Sequence, residues 1–85
     1  MHESTAKARG LKPLARVVSQ ASFAQAPEWF TTAPVGAIRK VLTRAGWQAD
    51  QVDLWEVNEA FAVVAMAAMR DIGIEHAKLN VNGGA

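Results

Sequence analysis

From Ala60 to Met69 the chain reads AFAVVAMAAM, ten residues without one polar side chain. A helix on such a run has no wet face, so it is stable only where protein encloses it on all sides. Asn58 and Glu59 precede the run, and Gly73 suits a left-handed stop; the expected helix spans Glu59 to about Ile72. The run is about half of the roughly 20 residues a membrane span needs. An 85-residue chain holds at most one domain, and a few short elements cannot surround a helix. The run therefore implies a further layer of protein, either a longer chain or an oligomer.

A second helix is expected to differ in kind. In TTAPVGAIRKVLTRAG, Thr32 can cap, Pro34 fits the first turn and Gly46 can stop the helix. Val35, Ile38, Leu42 and Ala45 recur at three- and four-residue spacing and make one buried stripe. Arg39, Lys40 and Arg44 lie off it toward the C-terminal end, where they suit the helix dipole. This is an outer helix that covers a sheet.

Strands are expected at Leu14–Ser19, Leu54–Val57 and about Leu79–Val81, the last running into Asn82–Gly83–Gly84. Residues 1–10 read as a polar helix tail ending at Gly10. AQAPEWFTTAP is a connector. Its Trp29–Phe30 pair either anchors the loop into the core or touches a ligand. Strands alternating with helices give an α/β fold with a mostly parallel sheet.

Composition excludes several functions. Half of the residues are apolar (51%), net charge is +1, and there is no cysteine. Disulfides, cysteine-based zinc sites and a cysteine nucleophile are thus absent from these residues. His2 and His76 fit no metal-binding spacing. Ser4, Ser19 and Ser22 lack the nucleophile elbow of serine hydrolases, and no phosphate-binding glycine loop occurs. Met66 and Met69 are expected core filler. Lys7, Arg9, Lys12 and Arg16 form a basic start, a solvated arm or an anion contact; a nucleic-acid role there would show steep salt dependence. Neither nucleic acid nor membrane is expected as a partner, and without a visible signal peptide the expected location is cytoplasmic.

Asn58 stands where a parallel strand hands over to a helix, the place at which ligands collect in open α/β sheets. Two readings remain open: a helix N-cap, or an amide that holds a water or oxyanion beside the helix N-terminus.

NEAFA (58–62), followed by NVNGGA (80–85), resembles the thiolases, the acetyl-CoA C-acyltransferases. ARGLKPLARVVSQAS and APVGAIRKVLTRAGW also resemble thiolase segments, whereas APEWFTTAP departs from the commoner wording. The resemblance implies a partial thiolase-like fold: strand, connector, helix, strand, buried helix and strand of a mixed sheet in a layered αβαβα architecture. Residues 1–24 would end the N-terminal half and residues 25–85 open the C-terminal half. It implies acyl transfer between CoA thioesters, with acetyl-CoA or a 3-ketoacyl-CoA as substrate, no further cofactor, and a homodimer or homotetramer. Asn58 matches the asparagine that positions an oxyanion-hole water. Phe61, with Ala60 beside it in the motif, matches the lining of the acyl and pantetheine tunnel. Gly83 and Gly84 match the turn that leads to a Gly-His-Pro histidine. Neither family cysteine nor that histidine is among these residues, and the family's nucleotide-binding loop would precede Met1. The 85 residues alone are thus expected to be inactive. The competing expectation is a stand-alone α/β interaction module.

Overall fold

Two helices cross over one pair of extended segments. The computed structural model describes residues 1–84. A short helix α1 (Glu3–Ala8) is followed by an extended segment, a kinked 3-10 turn (Pro27–Thr32), α2 (Ala33–Ala45), a 3-10 turn (Ala49–Gln51), α3 (Ala62–Ile72) and a 3-10 turn (His76–Lys78).

The expected stripe of α2 faces inward: Val35 is buried, and Ile38, Leu42 and Ala45 are half-buried. Gly46 (φ 70°) ends α2 and Gly73 (φ 83°) ends α3, both in the left-handed conformation. Thr32 does not cap. Its hydroxyl donates to the Trp29 carbonyl at 3.0 Å and accepts from Gln25 at 2.7 Å. The preceding 3-10 turn feeds directly into α2, so no side-chain cap forms.

The basic residues of α2 do more than face solvent. Lys40 Nζ donates to the Ser22 carbonyl at 3.0 Å and Arg44 to the Gln20 carbonyl at 2.8 Å. The Phe23 ring lies against the bare backbone of Gly36, where an added Cβ would collide with it. Residues 20–23 therefore run antiparallel along α2. Arg39 reaches the other way and donates to the Asp71 carbonyl at 2.9 Å near the end of α3. Beside it Arg70 donates to the Asp71 carboxylate at 2.6 Å; that bond, with Arg39 nearby, holds Asp71 below its ordinary pKa.

The expected strand at Leu14–Ser19 has no ladder partner among the described residues. Leu14 and Val17 stand in solvent, and the segment meets the rest of the described residues chiefly where Gln20–Phe23 lie along α2. The other two expected strands meet in one parallel bridge, Trp55 with Leu79. Trp55 donates to the Lys78 carbonyl and Asn80 to the Trp55 carbonyl, each at 2.8 Å. Asn80 then turns into the left-handed region (φ 47°), which ends backbone pairing.

Trp55, Val57, Val64, Ala65, Ala68, Ile74 and Leu79 form the core, and Ile38 and Leu42 pack against it. The alanines of α3 let its backbone approach the 55/79 pair, with Ala68 fully buried. Enclosure of α3 on all sides is not met by this chain. Phe61, Val63 and Met66 are half or more exposed, since α2, the 3-10 turn over Pro27–Thr32 and the bridged segments leave that flank of the helix uncovered. Met66 is thus surface here, and only Met69 joins the core margin. The accessible surface, 6647 Å², exceeds the roughly 4,900 Å² of a compact monomer of this mass. The radius of gyration, 15.2 Å, likewise exceeds the roughly 12 Å of a compact domain. The residues present therefore leave more surface accessible than a compact domain of this mass.

Candidate functional site

The site is built where the segment leaving Trp55 meets the turn after Leu79. At Asn80 the side chain takes over the ladder from the backbone. Its Oδ1 accepts from the Val57 N–H and its Nδ2 donates to the Val57 carbonyl, both at 2.8 Å. The Asn80 carbonyl is thereby released to accept from the Gly83 N–H at 2.8 Å, closing a turn over 80–83. Asparagine fits because its amide copies a peptide group and because it tolerates a positive φ.

The same Nδ2 donates to Glu59 Oε1 at 2.6 Å. Gly84 lies over that carboxylate: a Cβ built there would sit 2.5–2.8 Å from its atoms. The two motifs, 58–62 and 80–84, thus meet through Glu59, Asn80 and Gly84.

This arrangement moves the start of α3. Phe61 is extended (φ −143°, ψ 153°) and the helix begins at Ala62, three residues after the expected Glu59. Asn58 is therefore not the N-cap, and Glu59 is outside the first turn. With Val57 and Glu59 both held by Asn80, residues 57–61 stay out of the helix, the chain bending at Ala60 and Phe61 before α3 begins. No side chain caps α3, so its positive end is open to whatever lies beside it.

Asn58 is exposed and makes no side-chain hydrogen bond to another described residue. It lines a cleft of about 290 Å³ with Ala60, Val64, Pro34, Ile38 and Phe30. Phe61 borders this region through Phe30, the ring centroids 6.1 Å apart at 64°, an edge-to-face contact. Gly83 and Gly84 lie in the turn that backs Glu59 and do not line the cleft. Larger hollows of about 370 and 600 Å³ lie around Trp55–Lys78 and around Arg39–Trp47. Neither includes any of residues 58–62 or 80–84, so size does not mark the candidate chemistry in this molecule.

Of two further site residues, the sequence leaves Phe30 open between two roles, and Asn80 escapes it. Phe30 is half exposed rather than an anchor in the core, and it belongs to the cleft wall. Asn80 looked like part of a terminal strand. Its signal was an asparagine just before a Gly-Gly turn, where a positive φ is readily taken. The basic residues at the start make no cluster with the cleft: Arg16 pairs with Glu3 at 2.6 Å, and Lys7, Arg9 and Lys12 are exposed. Among the described residues no group of three or more His, Asp or Glu side chains could hold a metal ion, and no helix is long and apolar enough to cross a membrane.

Residues 11–85 match the family described as thiolase, C-terminal domain. The chain is 58% identical over 85 residues to a probable acetyl-CoA acetyltransferase of Dictyostelium discoideum, covering 100% of this chain and 20% of that protein. It is 48% identical over 84 residues to the acetyl-CoA acetyltransferase of Schizosaccharomyces pombe, covering 99% and 21%. The crystal structure of the Bacillus anthracis acetyl-CoA acetyltransferase superposes with a TM-score of 0.93 at 39% identity, over 99% of this chain and 21% of that one. The chain thus spans about a fifth of the length of the relatives it matches.

Proposed function

Because the chain belongs to the thiolase family, we propose that it supplies one wall of a thiolase active site: the amide of an oxyanion hole and part of the acyl-binding surface. The reaction is acyl transfer between CoA thioesters, either thiolysis of a 3-ketoacyl-CoA or condensation of two acetyl-CoA molecules. The observation that carries this reading is Asn58, placed on the cleft wall with its amide uncommitted and flanked by two residues that Asn80 holds.

The chemistry follows from the groups present. The side-chain carbonyl of Asn58 accepts a hydrogen bond from a water, and that water donates its other proton to the thioester oxygen as negative charge develops there. Preorganised donors of this kind are most effective where water is otherwise excluded. The uncapped start of α3 adds a favourable field for an anion. Phe30, Phe61 and Ala60 offer apolar surface to the acyl chain and its tether. Gly83 and Gly84 support the turn behind Glu59. Acyl acceptance and proton transfer need a nucleophilic thiol and a base, which residues outside this chain contribute in this reading. They also roof the exposed flank of α3 within the αβαβα layers and complete a homo-oligomer.

The test is kinetic. In a chimeric thiolase carrying these 85 residues in place of its own matching segment, Asn58→Ala is expected to lower kcat for acetoacetyl-CoA thiolysis by about 10²–10³, the loss typical of one oxyanion donor. A kcat within about threefold of the parent chimera would remove Asn58 from the chemistry. The isolated 85 residues are expected to show no turnover.

A further inference from the structure

Asn58 needs a fixed direction if its amide is to hold a water, yet it lies in an extended stretch with no ladder of its own. Immediately before it, both backbone polar groups of Val57 are bound by the Asn80 amide at 2.8 Å. Immediately after it, the Glu59 carboxylate is bound by the same amide at 2.6 Å. One side chain therefore holds the chain on both sides of Asn58. Val57 is buried and Asn80 half-buried, so the three bonds are sheltered from competing water, and hydrogen bonds to a charged group are the stronger kind. Gly84 adds a steric limit: it closes over the carboxylate of Glu59 with no room for a methyl group.

Resting on the proposed role of Asn58, we propose that Asn80 and Glu59 are positioning residues, a clamp that fixes the backbone on either side of Asn58 and so aims its amide into the cleft. Neither residue lines the cleft, so each acts through Asn58. The two contributions are separable. Asn80 also holds Val57, a core residue, and its loss combines misplacement with destabilisation. Glu59 has no other hydrogen bond among the described residues, and its loss leaves the core intact. A misplacement of about 1 Å is enough to cost up to a hundredfold in rate.

The experiment compares Glu59→Ala, Glu59→Gln and Asn58→Ala in the same chimeric thiolase, with kcat, KM and thermal midpoint measured for each. Glu59→Ala is expected to lower kcat at least about tenfold with KM within about twofold and the midpoint nearly unchanged. Glu59→Gln retains an amide oxygen that accepts from Asn80 Nδ2, and it is expected to restore most of the lost kcat. A purely structural role predicts instead a lowered midpoint with kcat of the folded enzyme intact. That outcome, a parental kcat for Glu59→Ala, or a Gln variant as slow as the Ala variant would overturn the clamp. If Asn58→Ala loses rate and Glu59→Ala does not, the clamp alone fails; if Asn58→Ala also keeps its rate, the proposed role of Asn58 fails with it.

Discussion

The Asn80 amide stands in for a peptide group opposite Val57, completing with its side chain a strand pairing that its own backbone abandons at φ 47°. Single Asn residues adopt the left-handed backbone region at small cost, and the exchange frees the Asn80 carbonyl to close the turn onto Gly83. One residue thereby ends a strand, starts a turn and ties two sequence motifs together.

The contact between Gly84 and Glu59 makes their substitutions non-additive. Gly84→Ala alone is expected to destabilise a host thiolase by about 1–2 kcal/mol, because the added methyl displaces a carboxylate that Asn80 holds. In a Glu59→Ala background most of that cost should vanish. Urea unfolding of the four proteins in the cycle measures the coupling; additive effects would mean that the contact carries no energy.

At Gly36 the sign of the effect depends on a neighbour. Alanine improves helix propensity by about 1 kcal/mol in a helix interior, but here its Cβ meets the Phe23 ring. Gly36→Ala is expected to be neutral or destabilising with Phe23 present and stabilising in a Phe23→Ala background. Thermal unfolding of the single and double variants checks the reversal.

The edge-to-face pair Phe30–Phe61 should show a coupling of about 0.5–1.5 kcal/mol in a double-mutant cycle. Because Phe30 lines the cleft, Phe30→Ala is also expected to raise KM for acetoacetyl-CoA while kcat changes less. Steady-state kinetics separate the two parameters.

Where one local rule decided the structure, the sequence was legible. The α2 stripe of Val35, Ile38 and Leu42 and the stops at Gly46 and Gly73 follow from periodicity and from the left-handed tolerance of glycine, and all appear where expected. The all-apolar run is not enclosed by these residues, with Phe61, Val63 and Met66 half or more exposed, and the chain spans about a fifth of the length of the relatives it matches. Legibility failed where a distant partner decided. Leu14–Ser19 has strand composition but no pairing partner among the described residues, and Leu14 and Val17 stand in solvent. The start of α3 was misplaced by three residues because Asn80, more than twenty positions away, ties down Val57 and Glu59 outside the helix. Asn58 then lost its role as a cap and kept its place on a cleft wall. Phe30 was noticed as unusual, but nothing local could tell a core anchor from a cleft wall.

The most direct measurement is a crystal structure of the thiolase chimera with bound acetyl-CoA. The account predicts the thioester in the cleft between Phe30 and Asn58, with a single water accepted by the Asn58 amide oxygen and donating to the thioester oxygen. A thioester seated in either of the larger hollows, or an Asn58 amide turned out of the cleft with no water between it and the substrate, would contradict it.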